Sequence, residues 1–153
     1  LTGLTLWLLG LLLLSKQLAS FSTVRSSGPF FMASLSMWYI ILSAELAVLP
    51  QMLNKILVDG QTGYLLIWNA LFTWGLFAGY LAMLLTYIGI ILMSFAYQGR
   101  RRIAGIVTGG CAIVATVLSL QFPDSALFLQ ITSLLPYIWT LWISVKVLLS
   151  RKI

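Results

Sequence analysis

The chain has no histidine, one cysteine and only three acidic residues in 153. Without histidine it lacks the usual axial ligand of membrane haems and the commonest metal ligand. Three carboxylates and one thiol make no credible metal cluster. Cys111 cannot close an internal disulfide, and between Gly110 and Ala112 it reads as a small packing residue. There is no Gly-rich phosphate loop, HExxH, GxSxG or nucleotide fingerprint. No cofactor and no metal are therefore expected, and an enzyme is disfavoured for lack of parts.

Charge is scarce as a class. Charged residues make up 8% of the chain, against roughly 25% in a soluble domain. Hydrophobic residues make up 61%, and the mean hydropathy is +1.04. A soluble fold would leave too little polar surface to cover itself. The longest polar gap, Ser15 to Pro29, is too short for an extramembrane domain with its own core. Residues 1–153 therefore read as a single all-α transmembrane domain, with any site built inside the helices or at their ends. The net charge of +6 does not indicate nucleic acid, because the basic residues flank apolar runs, as topology signals do.

Five apolar runs are expected to span: 1–14, 30–57, 64–97, 103–122 and 126–149. The first begins at leucine, so the chain is expected to continue upstream or to have been processed. Its fourteen residues reach about 21 Å as helix, short of a ~30 Å hydrocarbon core. Upstream residues complete this span, or it is a shortened one. Ser15 to Pro29 reads as a loop. Pro50 predicts a kink one turn past Glu45, since it frees the carbonyl of Leu46. Asp59-Gly60-Gln61-Thr62-Gly63 is a turn by composition. Tyr64 to Tyr97 is too long for one upright crossing. A break near Tyr80 would leave bare backbone in lipid, so one tilted or protruding helix is expected there. Turns follow at Gln98-Gly99 and at Pro123-Asp124-Ser125.

With five spans, Lys16, Arg25, Arg100, Arg101, Arg102, Lys146, Arg151 and Lys152 fall on one side. Lys55, Asp59 and Asp124 fall on the other. This is a positive-inside pattern, predicting the N-terminus outside and the C-terminus inside. The layout of the last three spans bears a faint likeness to small polytopic bacterial proteins, with no diagnostic motif. Nothing is carried over from that likeness; the expected location is an integral membrane one, a bacterial inner (plasma) membrane.

Glu45 is the one carboxylate well inside an apolar run, and such a group marks a candidate functional site. Ser34, Trp38, Glu45 and Met52 fall along one line of the helix. In the antiparallel neighbour Thr73 is expected at a similar depth and Asn69 one turn shallower, so Glu45, Asn69 and Thr73 are the candidate polar site. The plainer reading is a carboxyl hydrogen-bonded to a neighbouring helix. Insertion permits either. A central acid costs roughly 3 kcal/mol, while the nine Leu, Ile, Val and Phe residues from Phe30 to Leu49 return roughly 3–5.

Gly105-x-x-x-Gly109 marks a small-residue face on the fourth span, suited to close helix approach. Its partner is either Gly75-x-x-x-Gly79 of the third span or another chain. Arg100, Arg101 and Arg102 read as a topology determinant or an anionic lipid head-group contact. Trp74, Tyr80 and Trp139, at mid-depth, are expected in core packing ahead of any pigment, quinone or lipid site.

Two functions are weighed. The preferred one is an accessory or scaffold subunit of a larger membrane assembly, contacting lipids and other membrane subunits or copies of itself. The alternative is a small oligomeric carrier or channel using Glu45.

Overall fold

The computed structural model describes residues 2–18, 22–122 and 126–150. Among them the chain forms six helices, one a single turn, and no strand. They are α1 (Thr2–Gln17), α2 (Ser22–Arg25), α3 (Ser27–Leu57), α4 (Tyr64–Ser94), α5 (Arg100–Gln121) and α6 (Ala126–Ser150). Three of them, α3, α4 and α5, are long and apolar enough to cross a membrane, and α1 contains a shorter apolar helix, Gly3–Gln17. The turn expected at Pro123-Asp124-Ser125 and the basic tail at Arg151 and Lys152 lie outside the described residues.

The stretch read as a loop from Ser15 to Pro29 is largely helical. α1 runs through Ser15 and Lys16, α2 occupies Ser22–Arg25, and α3 already contains Gly28 and Pro29. Two buried serines turn back here on carbonyls three residues earlier, Ser15 within α1 and Ser27 across the junction from α3 to α2. Ser15 Oγ donates to the Leu12 carbonyl (2.8 Å), and Ser27 Oγ donates to that of Val24 (2.7 Å). Serine satisfied in this way does not need water. Pro29 sits in the first turn of α3, where the missing N–H has no partner to lose.

α3 continues through Pro50 as one helix, and α4 passes Tyr80 without a break. α4 stops earlier than Tyr97, at Ser94, and tightens through three successive i→i−3 bonds: Phe95 to Leu92, Ala96 to Met93 and Tyr97 to Ser94. Gly99 then takes φ +59°, a backbone region open to glycine, and the chain turns directly into α5. The Arg triplet is thus the first turn of α5 and not a loop before it.

Neighbouring helices pair antiparallel, and side chains fix the register. On the α3–α4 seam Phe31 lies over Gly89 and Trp38 over Gly79. Between them Ser34 Oγ bonds the Ala82 carbonyl (2.8 Å) and Thr86 Oγ1 (2.7 Å). On the α4–α5 seam Gly105 meets Ser94, while Gly109 meets Ile91 and the Tyr87 carbonyl. α1 runs beside α3, with Thr5 against Tyr39 (3.3 Å). α6 packs mainly along α5 and also touches α4, where the Tyr87 hydroxyl donates to the Thr132 carbonyl (2.5 Å). Lys16, Arg25 and the Arg triplet consequently gather at one end of the molecule. Lys55 and Asp59, ion-paired at 3.0 Å, lie at the other.

This register leaves one pair of helices longer than the rest. The twelve residues that follow Gly109, ending at Gln121, counted back along α4, reach the level of Phe77. Thr2 of α1 and Ala126 of α6 end at about the same level, by the Thr5–Tyr39 and Tyr87–Thr132 contacts. Beyond that level α3 and α4 continue alone for some 13 residues, roughly 20 Å of helix. Burial agrees. The last buried residue of α3 is Ile41, and the first of α4 is Gly75. The core proper (Leu8, Leu11, Val24, Phe31, Tyr87, Ile90, Met93, Ala112, Trp139 and Ile143) occupies the basic half only.

Candidate functional site

Glu45 sits where the α3–α4 hairpin leaves the bundle. α3 brings Trp38, Ile41 and Glu45 to one side of a cleft of about 150 Å³, and Tyr80 and Met83 from α4 help to close the other. The floor is glycine. A Cβ built on Gly75 would meet Glu45 Oε1, and one on Gly79 would lie 3.4 Å from the Trp38 ring. These two glycines therefore seat a carboxylate and an indole one turn apart: a methyl group at 75 would displace the tip of Glu45, while one at 79 would touch the Trp38 ring at ordinary contact distance. The carboxyl group is half-buried. Among the described residues it makes no hydrogen bond or ion pair.

Asn69 and Thr73, expected to share this site, do not line the cleft, and both side chains are exposed. The expected depth of Thr73 is two residues from Gly75, the residue that does oppose Glu45. A helix turns 200° over two residues, which carries Thr73 to the far face. The site is a carboxylate among rings and aliphatic carbons, not a polar pocket. Phe72 and Leu76, in place of Asn69 and Thr73, supply the α4 wall.

The two glycine pairs do not meet one another. Gly75 and Gly79 face α3. Gly105 meets Ser94 of α4 and the Trp139 ring of α6, whose Cζ2 lies 2.8 Å from a built Cβ. Gly109 packs on Ile91, with a built Cβ 2.5 Å from Cγ1. Both faces are used inside the chain. The Arg triplet is exposed, and Arg102 lies over the Phe95 ring, Cζ 4.5 Å from its centroid.

No protein-family model, curated protein or solved structure matches this chain. Trp38 and Met83 are shared between the Glu45 cleft and a second cavity of about 210 Å³ deeper in the bundle, bordered by Trp7, Thr86, Tyr87, Thr132 and Tyr137. Several polar groups around this inner cavity are bonded within the protein. Trp7 Nε1 donates to Thr140 Oγ1 (3.1 Å), and the Tyr87 hydroxyl to the Thr132 carbonyl. Trp7 also stacks on Tyr137 at 4.4 Å between centroids. Trp139 packs in the core as expected, Tyr80 is buried beside the cleft, and Trp74 is exposed and lines neither cavity. No group of three or more metal-ligating side chains exists among the described residues.

Proposed function

We propose that this protein is an accessory subunit of a larger membrane assembly, docking through the part of the α3–α4 hairpin that outruns the bundle. The observation that carries this reading is the overhang itself. A helix of 22 residues such as α5 spans about 33 Å, already enough for a ~30 Å hydrocarbon core. The hairpin extends roughly 20 Å further with a largely apolar surface: Leu46, Leu53, Leu57, Leu66, Phe72, Trp74 and Phe77 are all exposed, interrupted by Gln51, Asn54, Asn69 and Thr73. Surfaces of that kind mark protein or membrane contacts. The occupant that fits is an apolar helix of another membrane protein. The small-residue faces support docking no longer, since the chain uses them itself.

The reading includes five crossings of the bilayer, with the arginine-rich end in the cytoplasm and a bacterial inner membrane as the setting. Five helices aligned over one shared thickness and the gathering of cations at one end support it.

The test is extraction in a mild detergent followed by native mass spectrometry, with cysteines at Leu46 and Leu66 for cross-linking. A second protein should co-purify and cross-link at these positions, and Leu66→Glu should release it without loss of helix content. A chain that runs alone and monodisperse overturns the proposal. Symmetric cross-links between two copies would replace the foreign partner with a second copy. The carrier reading draws on one observation, the cleft at Glu45. Its test is Glu45→Gln in reconstituted vesicles, where unchanged flux rejects it.

A further inference from the structure

Independently of the docking reading, we propose that the cleft at Glu45 is a binding site for an organic monocation, a single ammonium-type charge carried on an apolar body. The argument begins with the carboxylate. It is half-buried, rests on Gly75, and no basic side chain answers it, since Lys55 is engaged with Asp59. An apolar wall around an unanswered charge is unfavourable unless a counter-charge enters.

The lining then selects the kind of counter-charge. Hard metal ions require six or more oxygen ligands, and among the lining residues only Glu45 and Tyr80 carry side-chain oxygens. The remaining border is carbon, sulfur and three rings, those of Trp38, Phe72 and Tyr80. Rings attract a poorly hydrated organic cation through their quadrupoles, and they offer nothing to a strongly hydrated metal. One carboxylate matches one positive charge, so dications are disfavoured. A cleft of about 150 Å³ admits a trimethylammonium head, while its open side leaves the rest of the molecule unconstrained. Glycine at both 75 and 79 keeps the floor clear, and a methyl group at 75 would occupy the space of Glu45 Oε1.

The experiment uses the full chain in phosphatidylglycerol nanodiscs, titrated calorimetrically with benzyltrimethylammonium and with choline. The uncharged match of choline, 3,3-dimethylbutan-1-ol, serves as the control. Saturable binding of one cation per chain is expected. Glu45→Gln should weaken it roughly tenfold to a hundredfold, the loss expected when a partly screened attraction between two unit charges is removed. Gly75→Ala should weaken it several-fold, with thermal unfolding unchanged, because it displaces only the tip of the Glu45 side chain. Repeating the titration in phosphatidylcholine nanodiscs separates the sources of the ligand. Competition by the bilayer assigns the cleft to a lipid head group, and its absence assigns it to a soluble amine. Equal affinity in Glu45→Gln, equal binding of the neutral alcohol, or no saturable binding at all would each overturn the proposal.

Discussion

Replacing Gly89 by alanine would place a methyl carbon 2.6 Å from Phe31 Cε1, 2.9 Å from Cζ and 3.0 Å from Cδ1. Phe31 is 1% exposed and belongs to the core, so its ring has little room to retreat. Overpacking of this kind costs about 1–3 kcal/mol. Phe31→Leu removes Cε1 and Cζ, the two atoms nearest the new methyl. Alone it should cost on the order of 1–2 kcal/mol, below the 3–5 of full truncation to alanine. If the two sites were independent, the double variant would lose the sum. Because the leucine vacates the space that the alanine needs, the double variant should be no less stable than Gly89→Ala alone. That is a coupling of at least about 1 kcal/mol. Thermal unfolding of the detergent-purified single and double variants measures it. Additive losses, or an undisturbed Gly89→Ala, would show that the α3–α4 seam does not have the register described.

Two tyrosines should respond in opposite senses to phenylalanine. Tyr87→Phe loses the bond to the Thr132 carbonyl and should cost about 1 kcal/mol. Tyr97→Phe removes a buried hydroxyl with no partner among the described residues and should be neutral or stabilising, with parallel melting curves as the check. Gly109→Leu drives a side chain into Ile91 and the Tyr87 carbonyl and should separate α5 from α4, read as lost helix packing and aggregation on size-exclusion chromatography. Lys55→Ala breaks an exposed i, i+4 pair and should change stability by less than about 0.5 kcal/mol; a larger loss would mean that the hairpin tip is more ordered than its exposure indicates.

The helices themselves were legible because apolar runs of this length leave the backbone no alternative in lipid. The α3 C-terminus at Leu57 and the α4 start at Tyr64 fall where hydropathy and turn composition put them. Ser15 to Pro29 reads as a loop because serine counts as polar by composition, yet Ser15 and Ser27 turn their hydroxyls back on backbone carbonyls three residues earlier. The glycine pairs were visible, but their partners were not. Four-residue spacing names a face and says nothing about which neighbour fills it, so Gly75 received a carboxylate and Gly109 an isoleucine. Glu45 stood out for its cost. Its opposite wall did not, because matching depth alone pointed to Thr73 while the helical turn delivered Gly75. The overhang was hinted at by the length of the third run, but it becomes measurable only once α5 is set in register against α4.

Concentrating the core in the basic half gives the molecule two tiers of stability. Protection of backbone amides against solvent exchange should decline from the Phe31–Gly89 level toward the Lys55–Asp59 tip, where helix pairing alone resists opening. A single melting temperature would then report the closed end, and the free end could loosen or be clipped without registering in it.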